Sequence, residues 1–439
     1  MTYHADLLAR AVPRYTSYPT AAEFTDAVGG KAQADGLAAV GEHEPLSLYL
    51  HIPFCEKICF YCGCNTGAAN RRARLAAYLD RLGEEIDLVA ARLEGRGRVV
   101  RVAFGGGSPN AVRPADFDRL STRLLDALGG DKASWSVEID PRNFTAEFAA
   151  ALARAGVRRA SLGVQTFDPE IQRAIGREQS FETVARAVHL LRDAGVDSLN
   201  FDLMYGLPGQ DETLLARSIE QALALAPDRM AIFGYAHVPD LIPRQRRIDG
   251  NALARPGERF AMAEAARAIM VGQGWQAVGF DHFALPADPL AEAARMGRLR
   301  RNFQGYTDDP CDTLIGMGAS SISRFANALV QNEKNNGRWA MRVASGMLPA
   351  TRGVTLGPLE RLRGRAIERF LCDGAVKIAA LPDATEIADR LAPFFERGLL
   401  ERHGGEWRIA EAGWPYARAM AATMDPHRQV SARRFSSAV

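Results

Sequence analysis

Four cysteines crowd the stretch HIPFCEKICFYCGCN, residues 51–65, in a chain that has six in all. Cys55, Cys59 and Cys62 are spaced C-x3-C-x2-C, and Cys64 follows two residues on. Sulfur at this density forms disulfides, holds zinc or holds an iron–sulfur cluster. Residues 1–20 show no basic segment followed by an apolar run, and no stretch reaches the roughly 18 uninterrupted apolar residues of a spanning helix. We therefore expect a cytoplasmic protein without membrane attachment, a setting in which stable disulfides are rare. Structural zinc usually draws a second ligand pair from a separate knuckle, and Cys311 and Cys372 are single and distant. Three thiolates on one loop suit a [4Fe–4S] cluster, because they leave one iron open to a further molecule. Cys64 is read as a small, partly buried thiol, with a fourth-ligand role as the other possibility.

The elements that must position this loop show as a repeating pattern from about residue 46 to 238. Short apolar, β-branched runs lie at 46–52, 99–105, 134–140, 158–164, 198–204 and 229–236. Segments with helical periodicity separate them, as in ARLAAYLDRLGEEIDLVAARL and SFETVARAVHLLRDAG. Six β/α units in succession predict a parallel sheet covered by helices, curved into a full or partial barrel. A flat doubly wound sheet fits the same pattern. Polar and glycine-rich residues follow the strands: the cysteine loop, GGGSP at 105–109, Glu138–Asp140, Gln165, Asp202 and His237. Ligand sites of parallel β/α folds lie at the carboxyl ends of the strands, so these groups aim at one mouth.

Composition bounds the rest. The chain has 439 residues, 47% of them hydrophobic, enough for one large domain and a smaller one. A net charge of +2 argues against a dedicated nucleic-acid binder. Basic residues are almost all arginine, which we ascribe mainly to genome composition, although PRQRR (243–247) and RLRR (298–301) could meet an anionic ligand. Past residue 330, amphipathic helices at 357–372 and 384–400, a hairpin around Gly404-Gly405 and a third helix resemble a winged-helix unit. The acids Glu360, Glu368, Asp373, Glu386 and Asp389 on those helices favour a cover or interaction domain over DNA binding. The division expected is 1–35 as an extended arm containing PRYTSYPTAAEF, 36–330 as the barrel, and 331–439 as a smaller, mainly helical domain.

The motifs PRYTSYPTA, SLYLHIPFC, CGCN, GGGSP, EIDP, GVQTFD, NFDLMYGLPGQ, YAHVP, RNFQGYT and GMGASSIS run from residue 13 to about 325. Together they resemble the oxygen-independent coproporphyrinogen III oxidases of the radical S-adenosylmethionine (SAM) superfamily. The three-cysteine spacing marks only the superfamily, whereas the arm, CGCN and RNFQGYT carry the closer likeness. The resemblance implies a partial (β/α)6 barrel of the radical SAM type, a [4Fe–4S] cluster and two molecules of SAM. It implies conversion of two propionates of coproporphyrinogen III to vinyl groups by hydrogen abstraction with a 5′-deoxyadenosyl radical. It also calls for an electron donor for the cluster and an electron acceptor, neither identified, and a monomer is expected.

By match to the family's motifs, Cys55, Cys59 and Cys62 would be the cluster ligands. Tyr49, Gly106 and Glu138 would hold the cluster-bound SAM. Tyr61, Gly107, Ser108, Gln165, Arg177, Asp202 and Ala236 would surround the second, and Ile322 would pack on an adenine. Tyr49, Glu138 and Arg177 are the expected catalytic positions. Each has an ordinary alternative: Arg177 as a helix-end charge, Asp202 and Glu138 as structural acceptors, Tyr49 as a core residue. His237 and His282 are set aside as structural. Arginines 14, 244, 246, 247, 298, 300 and 301 are the supply of partners for substrate carboxylates. The chain departs from the family with Tyr61 for phenylalanine, Ser108 for threonine, and a tail, ATMDPHRQVSARRFSS, that lacks the usual Phe-Asp-x-Tyr-Leu stretch. Two other classes compete with the oxidase: a haem-binding chaperone and a radical SAM paralogue acting on another tetrapyrrole. A zinc protein is the weakest reading.

Overall fold

The computed structural model describes residues 1–69 and 72–429. Six strands alternate with helices: β1 (Pro45–Ile52), α1 (Arg72–Leu93), β2 (Arg98–Gly106), α2 (Pro114–Leu128), β3 (Ser134–Ile139), α3 (Ala146–Arg154), β4 (Val157–Gln165), α4 (Phe181–Asp193), β5 (Ser198–Tyr205), α5 (Glu212–Ala224), β6 (Arg229–Gly234) and α6 (Pro256–Gly272). Side chains at the turns start the helices. Thr145 caps α3, Ser180 caps α4 and Asp211 caps α5, each accepting a main-chain N–H three residues on. Strands β1 to β6 pair in parallel, in sequence order.

Further strands extend the sheet at both flanks. They are β7 (Gln276–Val278) and β8 (His282–Ala284) beside β6, and β11 (Thr313–Met317), β12 (Ile322–Phe325), β13 (Ala328–Asn332) and β14 (Ala350–Thr355) beside β1. A separate hairpin pairs β9 (Arg300–Asn302) with β10 (Gly305–Thr307). The 12-stranded order is β14-β13-β12-β11-β1-β2-β3-β4-β5-β6-β8-β7, so the sheet keeps two edges and the barrel is partial.

Alternation along the strands sorts the two faces. Leu46, Leu48, Leu50 and Ile52 of β1 lie in one core with Leu79, Leu82, Ile86 and Val89 of α1. The inward set is polar: Ser47 and Tyr49, Ser134, Ser136 and Glu138, Ser161, Asn200 and Asp202 line a cavity of about 540 Å³. Its floor, at the starting ends of the strands, is ionic. Asp308 accepts from Arg101 at 2.9 Å and from Arg159 at 2.8 and 3.0 Å, while Asp288 holds Arg229 at 2.8 Å.

A second core joins the arm to the C-terminal elements. Leu8, Val12 and Tyr15 pack with Phe260 of α6 and with Ile367, Phe370, Leu391 and Tyr416. Those come from α8 (Pro358–Asp373), α9 (Ala384–Glu396) and the turn before α10 (Ala417–Thr423). Short strands at Ala375–Val376, Leu400–His403 and Glu406–Ile409 complete this unit, the last two paired across Gly404-Gly405. Trp339 and Val343 of α7 (Asn336–Ala344) share the barrel's core, as does Ala350 of β14. We therefore place the division near residue 356, beyond the 330 expected from the change in pattern. The last residues of the atypical tail, 430–439, lie outside the described residues. Among the described residues no helix is long and apolar enough to cross a membrane.

One buried carboxylate fastens the flank to the barrel. Glu85 of α1, with no exposed surface, accepts from Gly318 N at 2.8 Å, Trp339 Nε1 at 2.9 Å and Asn332 Nδ2 at 2.7 Å. Burial outweighs these donors and pushes its carboxyl up from 4.5 to about 7. Between those values the folded protein keeps a proton that the unfolded chain has released, so stability falls as the pH rises through this window. The expected loss is up to about 3 kcal/mol. Urea midpoints measured from pH 4.5 to 8 should show this slope, and Glu85→Gln should flatten it.

Candidate active site

The cysteine loop leaves β1 and has little regular structure of its own. Phe54–Cys55 pairs in parallel with Gly67–Ala68, and three contacts from the barrel hold the turn between them. Ile175 O accepts from Phe60 N at 2.9 Å, Gln245 Nε2 donates to Tyr61 O at 2.8 Å, and Arg142 Nη2 donates to Lys57 O at 3.0 Å. Each of the three thiols in the C-x3-C-x2-C spacing has a donor. Thr66 Oγ1 reaches Cys55 Sγ at 3.3 Å, and Cys64 N reaches Cys62 Sγ at 3.4 Å. Arg177 Nη1 and Arg142 Nη2 approach Cys59 Sγ at 3.3 and 3.5 Å. All six cysteines are free thiols.

This donor set fits an anionic cluster. Hydrogen bonds and guanidinium charge stabilise thiolate sulfur, and a cubane takes its thiolates at separate irons.

The glycine run beside the loop is shaped by close approach. Gly107 N donates to Ile52 O at 2.8 Å and Ser108 N to Phe54 O at 2.7 Å, and a Cβ on Gly107 would lie 2.5 Å from the Phe54 carbonyl oxygen. Gly106 has φ of 115°, and a Cβ there would stand 2.7 Å from the His51 ring. Gly106 N donates to Glu138 Oε2 at 3.1 Å, and Gln304 Nε2 reaches the other oxygen at 3.4 Å. Tyr49 Oη lies 3.1 Å from His51 Nδ1, whose ring also meets Asn65 O at 3.3 Å. Burial lowers the His51 pKa to about 4, so the ring is neutral at physiological pH. Burial likewise raises the carboxyls of Glu138 and Asp202, the latter accepting from Ser161 Oγ at 3.0 Å and Asn200 Nδ2 at 2.8 Å.

The residues singled out from the sequence fall into two groups. Tyr49, Glu138 and Asp202 line the 540 Å³ cavity together with Cys64. Arg177, 6% exposed, is no helix-end charge: it donates to Gly163 O at 2.6 Å and to Asp140 at 3.3 Å, besides Cys59. Gln165 sits nearby in the left-handed region at φ 68°, and its buried Oε1 has no partner in the protein. That orphaned acceptor suits a polar ligand with a donor to offer, such as an ammonium group. Ser108, 3% exposed, spends its hydroxyl on Asn110 at 2.7 Å. Ala236 offers its carbonyl to Gln245 at 3.0 Å in the loop after β6. Ile322 opens β12, its backbone against Gly316, which pairs with Tyr49.

Three residues escaped the sequence reading: His51, Arg142 and Gln304. All three lie in or next to motifs quoted above, HIPFC, EIDP with the Arg that follows it, and RNFQGYT. A histidine two residues from Tyr49 on the same inward face was the available signal for His51. Gln304 and Glu138 are 166 residues apart, and no local pattern links them.

Comparison with known proteins agrees with this geometry. Residues 49–222 match the model of the radical SAM superfamily. An oxygen-independent coproporphyrinogen III oxidase from Paracoccus denitrificans is 42% identical over 437 residues, covering 98% of this chain and 96% of its own length. The protein of the same name from Escherichia coli K12 is 36% identical over 399 residues, 89% of this chain and 87% of the relative. The solved structure of the Escherichia coli coproporphyrinogen III oxidase, a radical SAM enzyme, superposes with a TM-score of 0.89. That match has 34% identity and covers 97% of this chain and 99% of the other. With such identity over nearly its whole length, the chain belongs to the oxygen-independent coproporphyrinogen III oxidase family of the radical SAM superfamily.

Proposed function

We infer that this protein is an oxidoreductase that converts coproporphyrinogen III to protoporphyrinogen IX without oxygen, in porphyrin biosynthesis. The observation that carries the reading is one cavity, walled by Tyr49, Glu138 and Asp202 from three strands and by Cys64 of the loop whose three other thiols each receive a donor. A [4Fe–4S] cluster with SAM, when bound, supplies a 5′-deoxyadenosyl radical that takes a hydrogen from a propionate β-carbon, after which carbon dioxide and one electron leave and a vinyl group remains. Two propionates react in turn. The electron donor and acceptor are separate molecules, and we place the protein in the cytoplasm as a monomer.

The residues divide the work as follows in our reading. Cys55, Cys59 and Cys62 hold the cluster. Tyr49, Gly106 and Glu138 receive the SAM bound to it, where Glu138, fixed by Gly106 N and Gln304, is placed to accept from an ammonium or ribose group. Tyr61, Gly107, Ser108, Gln165, Arg177, Asp202 and Ala236 surround a second SAM, and Ile322 packs on an adenine. Tyr49, Glu138 and Arg177 are the catalytic contacts. Arg142 and Arg177 neutralise charge at Cys59 and thereby raise the potential at which an electron can enter.

Reconstitution under argon with iron and sulfide, followed by SAM, a reductant, coproporphyrinogen III and an electron acceptor, tests the reading. Protoporphyrin and 5′-deoxyadenosine are expected, and both should vanish in Cys59→Ala together with the cluster's visible absorbance. Deoxyadenosine without protoporphyrin would point to a different tetrapyrrole. Arg142→Gln removes one charge-assisted donor from Cys59. Its cluster should assemble, with a potential about 60 mV lower in an EPR-monitored redox titration.

A further inference from the structure

Two arginines around the cavity beneath the cysteine loop keep a buried nitrogen without a partner among the described residues: Arg229, at the ionic floor, and Arg301. Arg301, on β9, lines this cavity with Tyr49, Glu138 and Asp202, and is only 5% exposed. Its Nε donates to Tyr15 O at 3.1 Å and its Nη2 to Arg14 O at 2.9 Å. Its plane lies over Tyr306 and Phe280, 4.1 and 5.0 Å from their ring centres. The remaining nitrogen, Nη1, is buried and has no hydrogen-bond acceptor. A buried guanidinium corner without an acceptor costs free energy unless a ligand supplies one.

The surroundings say what that ligand carries. Arg14 lies close by, its Nη2 on Gly234 O at 2.7 Å, and it lines the same cavity. The acid facing this pair, Asp281, is already engaged with His282 at 2.6 Å. Burial would raise the Asp281 carboxyl, but His282 first, and Arg301 and Arg14 after it, hold it down at about 2. Arg301 also lines a neighbouring cavity of about 720 Å³ and thus stands in the partition between the two spaces. A carboxylate reaching it from either side finds a planar donor with aromatic walls.

We propose that Arg301, supported by Arg14, is a carboxylate-binding subsite that grips one propionate of the tetrapyrrole while another propionate reacts below the cysteine loop. The proposal rests on the substrate reading above. It names two of the many arginines as partners and gives the arm motif PRYTSYPTA a purpose. Through its Arg14 and Tyr15 carbonyls the arm orients Arg301, and through its own side chain it adds a second positive charge.

Binding in the absence of turnover tests this. Coproporphyrin III, the oxidised macrocycle with all four carboxylates, and its tetramethyl ester are titrated into the protein under argon and followed by porphyrin fluorescence. Arg301→Gln should weaken binding of the acid about 10- to 100-fold and leave the ester within about twofold. Arg14→Gln keeps the main-chain carbonyl that Arg301 uses and should weaken the acid about 3- to 10-fold, again sparing the ester. Equal losses for acid and ester would mean that the arm has come loose, and would overturn the proposal. Unchanged acid binding in both variants would overturn it as well. If Arg301→Gln does not fold, the acid-against-ester comparison in Arg14→Gln decides alone. Wild-type protein that cleaves SAM yet binds no coproporphyrin III would sink the substrate reading, and the subsite with it.

Discussion

Guanidinium groups are buried at several levels of this molecule, and the way each finds an acceptor organises the structure around it. At the floor Asp308 takes Arg101 and Arg159, and Asp288 takes Arg229. At the mouth Asp140 takes Arg142 and Arg177, which then turn toward Cys59. In the C-terminal unit Arg363, 4% exposed, is held by Asp383 and by Met424 O at 2.7 Å. A charge withdrawn from water must be paired and hydrogen-bonded, or the fold does not hold it. The polar inner face of a parallel sheet would otherwise be an unstable way to build a barrel.

The same requirement makes the cysteine loop stiff without regular secondary structure. Its carbonyls at Lys57 and Tyr61 are taken by Arg142 and Gln245, and its main chain is tied to Ile175. The loop is therefore placed by groups that belong to three different β/α units. A ligand assembled on it inherits that placement, which is what electron delivery over short distances demands.

Much of this was legible beforehand, and the limits of legibility are physical. The six core strands were readable to within two residues at either end, as at 198–204 against Ser198–Tyr205, because the face packed on the helices repeats an apolar residue at every second position. The flanking strands were not, since β7, β8, β12 and β13 are three to five residues long and owe their existence to neighbours. The same holds for β14, which lies past the boundary expected at 330 and owes its order to its partner β13. Arginine was the subtlest case. Ascribing the arginines to composition was reasonable for a chain with 54 basic residues, yet nothing local distinguishes Arg142 or Arg301 from a solvated surface arginine. What sets them apart is contact across 83 residues in one case and 286 in the other.

The ionic floor also bears on traffic: Asp308 and its arginines lie across the starting ends of the strands, so paired charge fills the end of the chamber away from the cysteine loop. On the function proposed above, a macrocycle that has lost one carboxyl group would then turn within the chamber or leave on the side by which it came.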